Sequence, residues 1–345
     1  YTLVVNDLKK ANSTVLPDKW DDKNLGRVSR LAVKTLLAKV YMTIGNLSDA
    51  KTLLTEVQSS GKHSLLPYEE VFSTNNEMND EIIFAVRYKS GGFGLGSPFA
   101  NRFAPSSSGN NIVNGDGSHW NAPAPSFMDS YESGDARKAV TVDVYNTKNY
   151  VKKYLSDVLV TYDAENDWPV LRYADVLLML AEIINEQEGY TNAIPLINEV
   201  RDVHGNLPAL TMVNSQEACR LAIENERRFE FAFENHRFFD LVRTGRALEV
   251  LNKQIFELDW AAQYNRYNAS NKPSRENIVK EWQLLLPIPQ REIDINNKIV
   301  ISQNYGYSKQ TKMKQYINLS IIAPILFSFT FIACDEDGQI DNDNI

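Results

Sequence analysis

The chain has 345 residues, 43% apolar and 23% charged, which is globular rather than disordered and long enough for one large core or two modest ones. Lys and Arg number 36 against 44 Asp and Glu, a formal net charge of −8 that argues against a polyanion such as nucleic acid as partner. Cys219 and Cys334 are the only cysteines, so no disulfide framework can be read, and the stretch after Tyr1 has no secretory-leader pattern.

In chain order, residues 1–26 are a mixed opening with Pro17, Trp20 and the acidic pair Asp21 and Asp22: the end of a helix, then a loop. From Arg27 the pattern is firm. Leu37, Ala38, Tyr41, Gly45, Ala50 and Leu54 fall at the intervals of a tetratricopeptide helix pair, which needs a small residue where its helices touch. Leu177, Leu180, Ala181, Ile184, Ala193, Ile197 and Val200 repeat that spacing, with Gly189 near the turn. A generic antiparallel helix hairpin fits the same spacing. The two copies are not tandem: about 110 residues intervene, more than a pure solenoid accommodates without giving them a task.

That insertion opens with Glu81 to Tyr88, a β-branched and aromatic run that predicts a strand. Lys89 to Pro125 follows, rich in Gly, Ser, Asn and Pro, with Phe93, Phe99, Phe103 and Trp120 embedded in it. Such composition also suits a flexible linker, but the aromatics favour an ordered binding loop on a rigid scaffold. Glu257 to Lys280, with Trp260, Tyr264 and Tyr267, repeats the theme. Gly91, Gly92, Gly94 and Gly96 follow a strand, yet no helix or Lys-Ser/Thr pair comes after them, so they make no phosphate cradle. His63, His119, His204 and His236 are scattered without metal-ligand spacing, and no metal or other cofactor is expected. No G-x-S-x-G elbow is present, and a carboxylate pair for glycoside hydrolysis cannot be identified, because its members need meet only in space.

The stretch Leu221 to Arg246, LAIENERRFEFAFENHRFFDLVRTGR, organises the chain. Ala222, Asn225, Phe229, Ala232 or Phe233, and His236 share one helix face, which is expected to point inward. Glu224 with Arg228, and Glu234 with Arg237, have ion-pair spacing. Asn235 suits a break, and Gly245 suits the end of a second short helix. Charges interleaved with phenylalanines survive against apolar surface only if paired, so Arg227 and Arg237 are expected to be structural, each paired within the core, and His236 a satisfied buried histidine.

This stretch closely resembles the signature of the SusD/RagB family of surface lipoproteins. Asp167 to Glu182, DWPVLRYADVLLMLAE, resembles the family's entry into a core helix, and LLLPIPQREIDINN with QNYGY at 303–307 resembles its C-terminal close. The resemblance implies a mostly α, tetratricopeptide-like helical scaffold with long irregular loop insertions and short strands, the C-terminal portion of a longer lipoprotein. It implies non-catalytic binding of a glycan or similar nutrient at the outer-membrane surface and delivery to a SusC-like TonB-dependent transporter. The lipid anchor would be a Cys in a missing N-terminal region. The alternative is a tetratricopeptide-type scaffold for a protein or peptide partner. Sugars are held by an aromatic face with polar groups at its rim. The expected ligand residues are therefore Trp120 as the platform, with His119, Asn121, Phe103 and Asn111, and with Asn110 and Asn114 nearby.

Residues 1–307 read as the SusD-like domain and 308–345 as an extraneous tail. There Lys312 and Lys314, the apolar run from Ile317 to Ala333, and Cys334 before Asp335 have the layout of a lipoprotein signal, with Cys334 as the lipid site. A C-terminal membrane anchor is the other reading.

Overall fold

The computed structural model describes residues 1–257, 279–296 and 299–307. The tail 308–345 with Cys334, and the aromatics Trp260, Tyr264 and Tyr267, lie outside the described residues. The chain divides into two units, Tyr1–Arg243 and Thr244–Ile345. No described helix is long and apolar enough to cross a membrane.

The first unit opens with α1 (Thr2–Asn12), which packs on α2 (Arg30–Thr43). The Ser29 hydroxyl caps α2 by accepting from the Ala32 amide; Gly45, at φ +81, turns the chain, and the Asn46 side chain caps α3 (Leu47–Ser59). Ala38 and Ala50 are fully buried, the small residues the tetratricopeptide spacing requires. After α4 (Tyr68–Val71) comes β1 (Ile82–Val86), inside the predicted strand. The insertion then carries α5 (Phe99–Phe103), α6 (Pro125–Asp129), α7 (Arg137–Thr141) and a hairpin of β2 (Val142–Tyr145) with β3 (Lys148–Val151). β4 (Trp168–Arg172) pairs antiparallel with β1, Ile82 facing Arg172 and Val86 facing Trp168, so the insertion leaves and re-enters the scaffold at one two-stranded ribbon.

β4 runs directly into α8 (Tyr173–Glu188), and α9 (Tyr190–Gly205) packs back along it as the second hairpin. Eleven of the sixteen α8 residues are buried, because α3, α9 and α10 (Gln216–Glu230) all pack against it. α11 (Arg237–Arg243) follows a turn in which Phe233 and Asn235 adopt φ of +64 and +69, the break expected at Asn235.

The inward face of α10 matches the expected one at Phe229, with Ala232 buried just beyond the helix, and differs elsewhere. Cys219, Ile223, Glu226, Arg227 and Glu230 are buried, whereas Asn225 is exposed and Ala222 half-buried. The helix turns charged residues to the interior because partners wait there on distant elements. Local ion pairs give way for the same reason: Glu224 pairs with Arg237, Glu234 pairs with Arg172 and Lys153, and Arg228 lies over the Phe127 and Phe229 rings.

Two ion networks result. In one, Arg227 donates to Asp175 of α8 and Asp240 of α11, both at 2.8 Å. Lys39 of α2 donates to Asp175 and to His236 Nδ1. Burial, then the Lys39 charge, pull the His236 pKa down to about 4, so it is a neutral, satisfied histidine stacked on Phe231. In the other, Arg172 at the end of β4 is held by Glu81, Glu230 and Glu234; Arg137 by Asp135, Glu226 and Glu230; Arg201 by Glu226; and Lys153 by Glu234. His204 stands between Glu230 and Glu81, with a ring nitrogen 2.9 Å from each carboxylate. The sequence spacing gave no hint of this cluster, because its members are far apart in the chain. The flanking Glu230 and Glu81 charges favour the imidazolium, which donates to both carboxylates, and both also face Arg172.

In the second unit, α12 (Ala247–Glu257) is tied to Val279 by the Asn252 side chain, which donates to the Val279 carbonyl and accepts from the Val279 amide. The two closing motifs fold onto one another: the Gln303 amide bonds Ile288 twice, Asn304 bonds the Leu286 carbonyl, and Trp282 meets Tyr307 edge to face at 4.8 Å.

Two predictions follow from these networks. Arg227→Ala strands Asp175 and Asp240 in the interior and should cost about 3–5 kcal/mol. Arg237 is a third exposed rather than in the core as expected, and its loss should cost under about 1 kcal/mol; urea unfolding of the two variants measures the difference. For His204, burial alone would lower the pKa, but the Glu230 and Glu81 charges outweigh burial and raise it to about 9. Its stabilisation is therefore complete below the unfolded value of about 6.5 and is lost as pH climbs through about 9, a span worth on the order of 3 kcal/mol. Melting temperature should fall over that window, and His204→Gln should flatten the fall.

Candidate functional site

The aromatic insertion divides between core and surface. Phe103 is 3% exposed and Phe99 stacks on it at 5.5 Å, the pair packing with Tyr154 and Trp168. Phe103 is thus a core residue with no open face, a correction to its expected role. Asn111 donates to the Ser108 carbonyl and the Tyr145 hydroxyl; Asn110 accepts from the Gly115 amide, and Asn114 donates to the Leu159 carbonyl. These asparagine groups brace the loop, and Asn111 itself stays exposed, with its Nδ2 hydrogens spent inside the loop.

Trp120 is 42% exposed, and the chain around it is fixed by backbone contacts with α5. The Ser118, His119 and Trp120 amides donate to the Asn101, Ala104 and Arg102 carbonyls, each at 2.8 Å. Gly117 permits this approach: a Cβ there would lie 2.2 Å from the Ala104 oxygen. The fully buried Asn101 side chain staples three segments, its amide donating to the Asn114 and Asp116 carbonyls and its oxygen accepting from the Tyr162 amide. His119 donates from Nε2 to the Asn149 carbonyl at 2.9 Å, since a carbonyl only accepts, and this ties the loop to β3.

Tyr162 therefore arrives beside Trp120 from the far end of the insertion. It is 40% exposed, and its hydroxyl lies 3.0 Å from the Ser118 hydroxyl. The Arg102 guanidinium carbon sits 4.2 Å from the Trp120 ring centroid and 4.7 Å from that of Tyr162, so both rings hold it. His119, Asn121 and Tyr162 all have left-handed backbone, at φ +57, +55 and +63. Three such non-glycine residues beside one exposed aromatic pair are strain of the kind that collects at binding sites, and a tyrosine is an unusual occupant of that region. Of the expected residues, the structure brings Trp120, His119 and Asn121 together. Arg102 and Tyr162 were missed. Arg102 stood next to Phe103 in the same glycine-rich stretch and could have been weighed; nothing in the sequence marks Tyr162.

The glycine run 91–96 does cradle an anion, but an internal one: the Gly91 and Gly92 amides both donate to the Asp163 carboxylate at 2.7 Å. An open groove of about 570 Å³ adjoins α6 and α7, with Met128, Ala139 and Val142 among apolar lining residues and Asp129, Lys138 and Asp143 among charged ones. Glu77 and Asp167 share Arg87, and burial followed by the Asp167 charge raises the Glu77 pKa to about 7. The cavity beside them encloses about 30 Å³, room for water and far too little for a sugar ring.

Helix hairpins in a tetratricopeptide-like scaffold, with a long insertion presenting an exposed aromatic pair, define a helical protein with a loop-borne surface face. The family model for the SusD family matches residues 116–307, more than half of the chain, and the chain belongs to that family. It is 29% identical to SusD-like protein P25 of Formosa agariphila over 88% of this chain and 64% of that protein, and 27% identical to SusD-like protein P38 of the same organism over 72% and 58%. The chain thus spans less than two thirds of the length of these relatives. Among solved structures, surface glycan-binding protein A from Bacteroides thetaiotaomicron in complex with laminarihexaose aligns with a TM-score of 0.70 at 24% identity, over 87% of this chain and 69% of that one. A laminarin-binding SusD-like protein aligns with a TM-score of 0.68 at 27% identity, over 89% and 68%.

Proposed function

We propose that the protein holds a glycan at the outer-membrane surface, on the platform formed by Trp120 and Tyr162, and hands it to a SusC-like TonB-dependent transporter without chemical change. The observation that carries this reading is the exposed Trp120 and Tyr162 pair, held by Arg102 on strained backbone that Asn101 fixes from beneath. A rigid aromatic face suits the C–H face of a sugar, and the Ser118 hydroxyl beside Tyr162 suits a sugar hydroxyl. Family membership supports the reading, as do the two aligned structures, a surface glycan-binding protein with laminarihexaose and a laminarin-binding SusD-like protein. The lipid anchor expected for such a protein would be a cysteine outside this sequence. A hydrolase would need two carboxylates at glycosidase spacing across a sugar-sized cleft. Glu77 and Asp167 border only the small cavity, while Asp129, Asp135 and Asp143 line the open groove beside α6 and α7. Asp129→Asn and Asp143→Asn variants assayed for oligosaccharide cleavage separate that reading from binding alone.

Calorimetry against an oligosaccharide panel that includes laminarihexaose tests the platform. Trp120→Ala and Tyr162→Ala should each weaken binding by about 1–3 kcal/mol, a range taken from aromatic stacking on nucleobases, with helical circular dichroism unchanged. Parental affinity in both variants would sink the assignment.

A further inference from the structure

Among the described residues, Arg102 meets aromatic rings and no carboxylate, as Arg27 and Arg228 do elsewhere in the chain, but only Arg102 does so beside the exposed Trp120 and Tyr162. Arg87, Arg137, Arg172, Arg201 and Arg227 each meet one or more carboxylates. The Arg102 guanidinium has no carboxylate partner and no hydrogen-bond acceptor among the described residues; its contacts are the two aromatic rings. The acidic residues that flank the site in sequence are spent elsewhere. Asp116 accepts from the Ser107, Ser108, Gly109 and Gly117 amides, and Asp163 from those of Gly91 and Gly92. The side chain is half-buried, so its charge is partly removed from water without an internal counter-ion. A guanidinium held against ring faces keeps its N–H edge available, and that edge matches two oxygens of one planar or tetrahedral anion.

We propose that the glycan held at this site is anionic, carrying a carboxylate or sulfate that pairs with the Arg102 edge while the sugar ring packs on Trp120 or Tyr162. This deepens the glycan-binding reading and rests on it. The aromatic faces accept any sugar with an apolar face; Arg102 selects for charge. The anion also supplies the counter-ion that the fold withholds, so charged ligands gain an interaction that neutral ones of equal length lack. Because the chain is acidic overall, attraction to a polyanion comes from this local group rather than from the general field.

The test compares three hexasaccharides by calorimetry at low and high salt: hexagalacturonate for carboxylate, a κ-carrageenan hexasaccharide for sulfate, and laminarihexaose as the neutral probe. The parent should bind at least one anionic probe about tenfold more tightly than laminarihexaose, with the advantage shrinking as salt rises. Arg102→Gln should abolish that ratio, and Arg102→Lys should restore only part of it, since an ammonium lacks the two-pronged edge. Binding of one anionic probe and not the other assigns the group. Laminarihexaose binding as tightly as both anionic probes, or a ratio that survives Arg102→Gln, overturns the proposal and leaves glycan binding standing. Failure of the parent to bind any of the three overturns both.

Discussion

The first unit depends on keeping Arg172 charged and satisfied in its interior. Three glutamates from separate stretches, Glu81 before β1, Glu230 at the end of α10 and Glu234 in the turn beyond it, converge on this guanidinium, while Phe72 and Phe231 lie against its faces. An ion this deep costs several kcal/mol to desolvate, and only such complete pairing offsets the cost. Around it the balance is close: Asp135, Glu81, Glu226, Glu230 and Glu234 face Arg137, Arg172, Arg201, Lys153 and His204. Glu132 adds a sixth acid at the Arg201 edge, and the Glu230 and Glu81 charges beside His204 are the physical reason its proton is held so far above the ordinary range.

That network also does the positional work that loops cannot do for themselves. Arg137 and Lys153 belong to the insertion, and both reach the α10 segment between Glu226 and Glu234. The aromatic cluster of Phe99, Phe103, Tyr154 and Trp168 then anchors the root of the loop beside the β1–β4 ribbon. Beyond the anchor the chain is held by backbone amides and by Asn101, and there the side chains of Trp120 and Tyr162 face solvent. Burial and pairing at the base make an irregular surface loop rigid enough to present a preformed face.

The scaffold was legible in the sequence because its signals are local. Ala38 and Ala50, or Leu177 and Ala181, mark helix contacts by spacing alone, and the Glu81 to Tyr88 run marks a strand by its β-branched content. The charged hairpin was legible in kind but not in detail: that Arg227 must be paired follows from its neighbours, whereas its partners Asp175 and Asp240 include one from 52 residues away. Helical spacing proposed near partners for Glu234 and Glu224, and partners on other elements won, buried ones for Glu234 and the part-exposed Arg237 for Glu224. The site was half legible. Trp120 stood out in a polar stretch, but Phe103 looked equivalent to it, and only packing separates a core aromatic from a displayed one. Tyr162 is held at the site by its backbone N–H donating to Asn101 Oδ1 and by its hydroxyl against that of Ser118, which no sequence pattern encodes.

The central claim is that Trp120 and Tyr162 form the sugar-binding face. A crystal structure of the chain with a bound oligosaccharide tests it most directly. The account predicts a sugar ring packed on the open face of Trp120 or Tyr162, with Arg102 and Asn121 within hydrogen-bond reach of it. Sugar seated instead in the groove lined by Met128, Val142 and Asp143, with the Trp120 face empty, would contradict it.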